Sequence, residues 1–308
     1  MLRSSLLNIT KILFLIMLSF SVFILNSFAE TTSSISDKLK TIESGTEGRL
    51  GIFAINTENG HVIKYRAEEV FPTQCTSKTV GVAAVLKKSM SDPSLLSQRI
   101  MYSKKDLDLA KWNPITEKYV SEGMTVKELC SAAISFSDNA AMNLLLKTIG
   151  GIHGMNDFAR SIGDSSFRQD NDWPAEAYSG GGGNVKDSST PQAMVEILHK
   201  VTIGEALDRP QRDLLTTWLI NTETGAARIT SGLPKGWIIG HKTGTGAIYG
   251  STNDLAIVWP QKHKPILIGI YYTSNNPKAA KREDVLSAST KSLIEEFTLK
   301  DNSLKSLL

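Results

Sequence analysis

Cysteine is nearly absent: a chain of 308 residues has two, Cys75 and Cys130. Metal-ligand spacing is missing as well. The five histidines are scattered with no HxxxH pair and no thiol cluster, which argues against a zinc hydrolase and leaves no metal or cofactor expected. Nor is there a strong excess of charge of either sign. The formal net charge of +3 includes Arg3 and Lys11, which sit in a leader; without residues 1–29 it is +1. Neither nucleic acid nor an anionic membrane surface is implied as a partner. Past that leader, no apolar run approaches the roughly 20 residues that cross a bilayer.

The leader itself has the order of a secretory signal. Arg3 and Lys11 precede an apolar run from Ile12 to Leu25, and Ser27-Phe28-Ala29 supplies a small-x-small cleavage site. The run is short for a membrane anchor, so cleavage after Ala29 and export to the periplasm or medium are expected, with no membrane association afterwards. In an exported chain two cysteines most simply form one disulfide, but their spacing does not decide between that and two free thiols.

Residues 49–65 alternate apolar and polar around Glu58-Asn59-Gly60, a β-hairpin with an Asn-Gly turn. Helical periodicity starts after Pro72 and returns at 125–151, 190–204 and 208–222; Thr190 and Pro191 suit an N-cap and first turn. Strands return at 237–246, 252–260 and 265–274, before a last helix from about Lys278 to Glu296. If the late strands join the early hairpin, both chain ends build one antiparallel sheet, with helices inserted between. The stretch 170–187, with four consecutive glycines, has no periodicity and reads as a long functional loop.

Three short motifs occur in order: Cys75-Thr76-Ser77-Lys78, Ser137-Asp138-Asn139 and Lys242-Thr243-Gly244. Each alone is weak; the ordered set matches S-x-x-K, S-D-N and K-T-G of class A β-lactamases and penicillin-binding proteins. The chain resembles a class A β-lactamase over nearly its whole mature length. The segments "KTGTGAIYGSTNDLAIVWP", "WNPITEKY" and "SDNAAMNLLLK" are most similar to the carbapenem-hydrolysing group. The resemblance implies an α/β (α+β) fold of the two-lobed serine β-lactamase/penicillin-binding-protein type. Its α/β lobe would come from about 30–72 and 225–308, and its all-helical lobe from about 73–224. It further implies a monomer that acts on small-molecule β-lactams through a covalent acyl-enzyme.

The roles the resemblance implies are physical ones. Cys75 stands at the nucleophile position, and Lys78, one turn on, can take its proton if positive charge nearby lowers the lysine pKa. Ser137 can relay a proton to the leaving lactam nitrogen, and Asn139 can hold the substrate's side-chain amide. Backbone N–H groups of Cys75 and Thr245 would form the oxyanion site. Lys242, Thr243, Thr245 and Arg228 would make a cationic, hydroxyl-lined rim for the substrate carboxylate, and Trp112 would line the cleft mouth. A solvated surface arginine and a half-buried core tryptophan are the plain alternatives for Arg228 and Trp112. Cys130 lies where some relatives pair a cysteine along the first helix; the partner position is not cysteine here, so a buried free thiol is expected.

Two positions depart from the family pattern. Cysteine replaces the nucleophilic serine, and sulfur in a site shaped for oxygen can be misplaced; an error of ~1 Å can cost ~10²-fold. In class A enzymes a loop glutamate activates the deacylating water. Here that position falls on Trp173 when aligned forward from Phe167-Arg168, and on Pro174 when aligned backward from Thr190-Pro191. Neither is a base. Glu176 is the only carboxylate in the Trp173–Asn184 half of the loop, Asn143 is retained as helical partner of the missing glutamate, and Asp170 and Asp187 are expected to anchor the loop. Three readings remain open: a hydrolase using Cys75 and Glu176, a covalent β-lactam trap in which deacylation stalls, and an inactive or engineered scaffold.

Overall fold

The structure is a computed structural model that describes residues 34–174 and 186–305; the expected leader at 1–29 and Glu176 lie outside the described residues. Five strands form one antiparallel sheet: β1 (Gly48–Asn56), β2 (Val62–Tyr65), β3 (Ile238–Thr245), β4 (Thr252–Trp259) and β5 (Ile266–Ser274), in the spatial order β2-β1-β5-β4-β3. The hairpin falls where the Asn-Gly turn places it. Ile55 pairs with Val62, and Gly60 takes the positive φ of 74° that a side chain would resist. Both chain ends therefore supply the sheet, and the helices between them are inserted.

Alternation along the strands explains why this sheet can be covered on both faces. From β4, Leu255 and Ile257 enter one apolar cluster with the inserted helices; Ala256 and Val258 enter another. From β5, Leu267 and Tyr271 face the first cluster, and Ile266, Ile268, Ile270 and Tyr272 face the second. That second cluster is closed by α1 (Ile35–Ser44), through Leu39, and by a C-terminal helix (Glu283–Lys300), through Val285, Leu286, Leu293, Ile294 and Phe297. In the first cluster lies α2 (Lys78–Ser91), buried without interruption from Lys78 to Leu86. A helix apolar on every side belongs in a core. Burying each of its valines and leucines is worth roughly 1.5–3 kcal/mol, so the N-terminal end of α2 is firmly placed.

Two elements differ from the sequence expectation. The helical pattern over 125–151 is broken into α3 (Val126–Ser135) and α4 (Asn139–Thr148). The break is at Ser137, whose φ of 58° lies in the left-handed region and cannot continue a helix. The last helix begins at Glu283, not near Lys278. Lys278, Lys281 and Arg282 would oppose the dipole in a first turn, whereas Glu283 and Asp284 favour it. Among the described residues no helix is long and apolar enough to cross a membrane.

The described ends of the 170–187 loop are fastened to each other. The Asp187 carboxylate accepts from the backbone N–H of Asp170 (2.8 Å) and Asn171 (3.0 Å), and the Asp187 N–H donates to the Asp170 carboxylate (3.0 Å). The Asp187 carbonyl accepts from the Thr73 N–H and hydroxyl, which ties the loop base to the turn before Cys75. Asp187→Ala removes the acceptor of the part-buried Asp170 and Asn171 N–H groups and is expected to lower stability by about 1–2 kcal/mol. Urea unfolding measures this, and an unchanged midpoint would show that the clasp contributes nothing.

Candidate active site

Cys75 is not on α2 itself but in a short 3₁₀ turn, Gln74–Ser77, that leads into it. In a 3₁₀ turn residues three apart nearly eclipse, so the C-x-x-K spacing stacks Cys75 and Lys78 on one side. Gln74 has φ 49°, a strained conformation for a side-chain-bearing residue, and it presents Cys75 at the turn. Cys75 is partly exposed to the cleft, while Lys78 and Ser77 are fully buried. Ser77 donates its hydroxyl to the Gln74 carbonyl (2.7 Å), so it is a turn residue and no rival nucleophile.

The corner between α3 and α4 carries the second motif. Asp138 is completely buried and architectural: it caps α4 by accepting from Ala141 N–H (2.8 Å), and it accepts from the N–H groups of Ile115 (3.1 Å) and Thr116 (2.9 Å). The corner and the 112–116 segment thus move as one. Trp112 on that segment is 56% exposed and its indole N–H reaches the Phe136 carbonyl (3.2 Å), so it is a cleft-edge residue and not a core one. Asn139 accepts from Lys78 Nζ through Oδ1 (2.6 Å) and donates to the Ala110 carbonyl (2.9 Å), so both ends of its amide are engaged.

Strand β3 brings the third motif against the turn. A Cβ on Gly244 would lie 2.8 Å from the Thr73 carbonyl, so glycine is what lets the strand approach the turn carrying Cys75 this closely. Lys242, fully buried, donates to Ser137 Oγ (2.9 Å) and to the Thr243 carbonyl (3.0 Å). Lys78 donates to the Ser137 carbonyl (2.6 Å) and lies 3.5 Å from its hydroxyl. Ser137 therefore sits between two lysines that come from opposite ends of the sequence.

Arg228 is buried, not a solvated surface group. Its guanidinium donates to the carbonyls of Gly244 (3.0 Å) and Asn253 (2.8 Å), to Thr245 Oγ1 (2.6 Å) and to Glu283 (3.3 Å). With five N–H donors, at most one is left over for a ligand. Thr245 is exposed and takes its orientation from Arg228; Thr243 shares a 2.7 Å hydroxyl contact with Thr224. Cys75, Ser137, Asn139, Trp112, Thr243, Thr245 and Arg228 all line one cleft of about 610 Å³. The sequence reading had not singled out Gln74, Thr224, Lys281 or Glu283, which also line it. None of them carries a motif or a spacing that would reveal it.

Burial and mutual charge tune the three ionisable groups. For Cys75, burial is the largest single influence and raises the thiol pKa. It is outweighed by the ammonium charges of Lys78 and Lys242 and by hydrogen bonds from Ser137 and Lys78, which together hold the thiol below its ordinary value. Burial lowers the Lys78 pKa, against the opposing pull of Cys75 and Asp138. Burial likewise brings Lys242 down to about 7, with Cys75 opposing and Lys78 and Arg228 assisting. Cys130 is a free, buried thiol pushed up by burial alone, and Cys75 is free as well.

The loop residue facing this cluster is Trp173. Asn143 clasps its backbone in both directions: Oδ1 accepts from the Trp173 N–H (2.9 Å) and Nδ2 donates to its carbonyl (2.7 Å). The side chain is 2% exposed, and Lys78 Nζ lies 5.8 Å from the ring centroid. Trp173 and Pro174 both line the cleft. Among the described residues the Trp173 indole N–H has no acceptor. The Asn143 clasp singles out Trp173, the forward alignment, as the residue beside Lys78.

Cys75 is expected to react with iodoacetamide in the folded protein while Cys130 does not, with a pH midpoint below that of a free cysteine thiol. Lys242→Ala removes one of the charges that stabilise the thiolate, so the midpoint should move up and alkylation at neutral pH should slow. A midpoint that stays in place would show that Lys242 has no electrostatic hold on the thiol.

Comparison with known proteins converges on one family. A profile described as the Beta-lactamase enzyme family matches residues 34–297. Beta-lactamase Toho-1 of Escherichia coli is 44% identical over 265 residues, covering 86% of this chain and 90% of its own length. A beta-lactamase of Citrobacter koseri is 43% identical over 263 residues, covering 85% and 88%. The crystal structure of a beta-lactamase from Desulfarculus baarsii superposes with a TM-score of 0.83 at 41% identity, covering 86% of this chain and 97% of that one. Helices packed around an antiparallel sheet, three motifs meeting at one buried cluster, and these matches lead to one statement: the chain is a member of the β-lactamase enzyme family, with the α/β fold of the serine β-lactamases.

Proposed function

We propose that this protein reacts with β-lactams at Cys75 to form a thioester acyl-enzyme, and that hydrolysis of that thioester is slow. The observation that supports the reading is the pairing of Cys75 with Trp173. The thiol lies in a cationic cluster that favours its thiolate, and an apolar ring packs beside Lys78 where the family resemblance calls for a carboxylate. Attack needs a nucleophile and a proton acceptor, which Cys75 and Lys78 supply. Ser137, held by Lys242, is placed to pass a proton to the departing nitrogen. Cys75 and Thr245 both line the cleft, and by the family resemblance their N–H groups would be the oxyanion donors. Lys242, Thr243 and Thr245 receive the substrate carboxylate, Arg228 acting through Thr245. Release is the impaired step, because general-base activation of water is commonly worth about 10²–10⁴-fold, and among the described residues the one carboxylate lining the cleft, Glu283, is held by Arg228 and Lys281.

The acceptance of carbapenems along with penicillins and cephalosporins is part of the proposal, supported by the resemblance of the 112–119, 137–147 and 242–260 segments. Export to the periplasm is likewise proposed from the leader. A single intact protein acting as a monomer is sufficient for every contribution named above.

Intact-mass spectrometry after mixing with a penicillin, with hydrolysis followed in parallel, tests the reading. The expected result is a stoichiometric adduct on Cys75 that outlasts the free drug. Trp173→Glu is expected to shorten its lifetime by about 10²-fold, within the range of a restored general base. Rapid turnover that Glu176→Gln slows would instead make Glu176 the base and reject stalled release. Protein that is neither acylated nor active would leave only the fold.

A further inference from the structure

His241 precedes Lys242 on β3 and is a buried polar residue that the chemistry at Cys75 leaves unused. Side chains alternate along a strand, so its ring lies on the face opposite Lys242. It is 4% exposed, and Nδ1 lies 2.9 and 3.1 Å from the two carboxylate oxygens of Asp254 on β4, which is completely buried. A carboxylate only accepts, so Nδ1 carries the hydrogen and donates it. Asp254 in turn accepts from the Ile229 N–H, 3.3 Å away.

Ile229 ends a segment that forms one wall of the cleft. Between the helix Arg209–Ile220 and the short turn Ile229–Gly232, the chain passes beside β3, and Thr224, Gly225 and Arg228 line the cleft. His241 meets this segment at three places. At the start, the Thr222 hydroxyl donates to the His241 carbonyl (2.6 Å). In the middle, Gly225 has φ 81°, and a Cβ there would lie 3.3 Å from His241 Cε1 and 2.3 Å from Thr243 Cγ2. Glycine thus lets the backbone lie close against the imidazole. At the end stands the Asp254 bond to Ile229. That bond is long for N–H···O, so it depends on how the carboxylate is held, and the imidazole holds both of its oxygens.

We propose that His241 is a positioning residue for the reaction at Cys75: its ring and Asp254 set where the 222–229 wall stands against β3, and so the shape of the cleft that a β-lactam must enter. The proposal rests on the reading that β-lactams acylate Cys75. His241 is not among the cleft-lining residues, and it acts only through the wall. Without the imidazole donor, a buried carboxylate keeps one long hydrogen bond and the backbone beside it loses a support. A ligand that fills the cleft responds to the resulting displacement, whereas a small reagent reaches the thiol regardless.

Two substitutions separate the donor from the bulk. His241→Leu keeps much of the volume without the N–H; His241→Asn keeps an N–H on the nitrogen attached to Cγ, as Nδ1 is. Adduct formation on Cys75 is timed by intact mass with a penicillin and, separately, with iodoacetamide. In His241→Leu the penicillin rate should fall about tenfold, part of the ~10²-fold that a ~1 Å misplacement costs, while the iodoacetamide rate stays within about twofold. His241→Asn should recover most of the penicillin rate. Amide deuterium exchange over 222–229 should quicken in His241→Leu and slow again in His241→Asn. An unchanged penicillin rate in His241→Leu, both reagents slowing alike, or no recovery in His241→Asn would each overturn the proposal. If His241→Leu does not fold, nitrogen NMR of the unaltered protein decides. A hydrogen on His241 Nδ1 is expected, and a neutral ring with its hydrogen on Nε2 alone would overturn the proposal. Unaltered protein that takes up no penicillin would reject the reading of Cys75 instead, and the exchange comparison would then test the wall by itself.

Discussion

Two lysine side chains, Lys78 and Lys242, are driven into the interior until both reach Ser137, and the rest of the architecture exists around that meeting. Buried ammonium groups are expensive unless hydrogen-bonded and balanced by opposite charge. Here each one donates to a backbone carbonyl and to a side-chain oxygen, and Asp138, Asp254 and the Cys75 thiol supply the counter-charge. Those partners come from the turn before α2, from the α3–α4 corner, from β3 and from β4. The cluster therefore forms only when the sheet, assembled from both chain ends, has closed on the inserted helices.

Several motif letters turn out to be structural rather than chemical. Asp138 caps α4 and fastens the 112–116 segment; Gly244 gives β3 room against the Thr73 carbonyl. Behind β3, buried His241 meets Asp254 on β4 (2.9 Å), and Asp254 also accepts from the Ile229 N–H next to Arg228. The strand that carries Lys242 and the turn that carries Arg228 are thereby referred to one carboxylate. A catalytic cluster built on rigid elements keeps its geometry better than one built on loops.

The hairpin, the three late strands and the helix capped by Thr190 were legible because their turn residues and periodicities are local. The three motifs were legible because their chemistry fixes their spacing. Three features were not. A positive φ at Ser137 leaves no trace in composition, so α3 and α4 read as one helix. The burial of Arg228 depends on carbonyls of residues 244 and 253, distant in sequence. Trp173 could be counted into place as a missing base, but its packing beside Lys78 is set by Asn143, thirty positions earlier.

The two departures from the family pattern are also linked through charge. A serine nucleophile is neutral at rest, and a glutamate in the loop would be the negative partner of the Lys78 ammonium. In this chain the loop position is an indole with no charge, which alone would leave two buried ammoniums short of an anion. The cysteine at position 75 offsets part of this, because the charges of Lys78 and Lys242 hold its thiol below the ordinary value and so favour the anion. On the function proposed above, the pair places negative charge at the atom that attacks rather than where water would be activated.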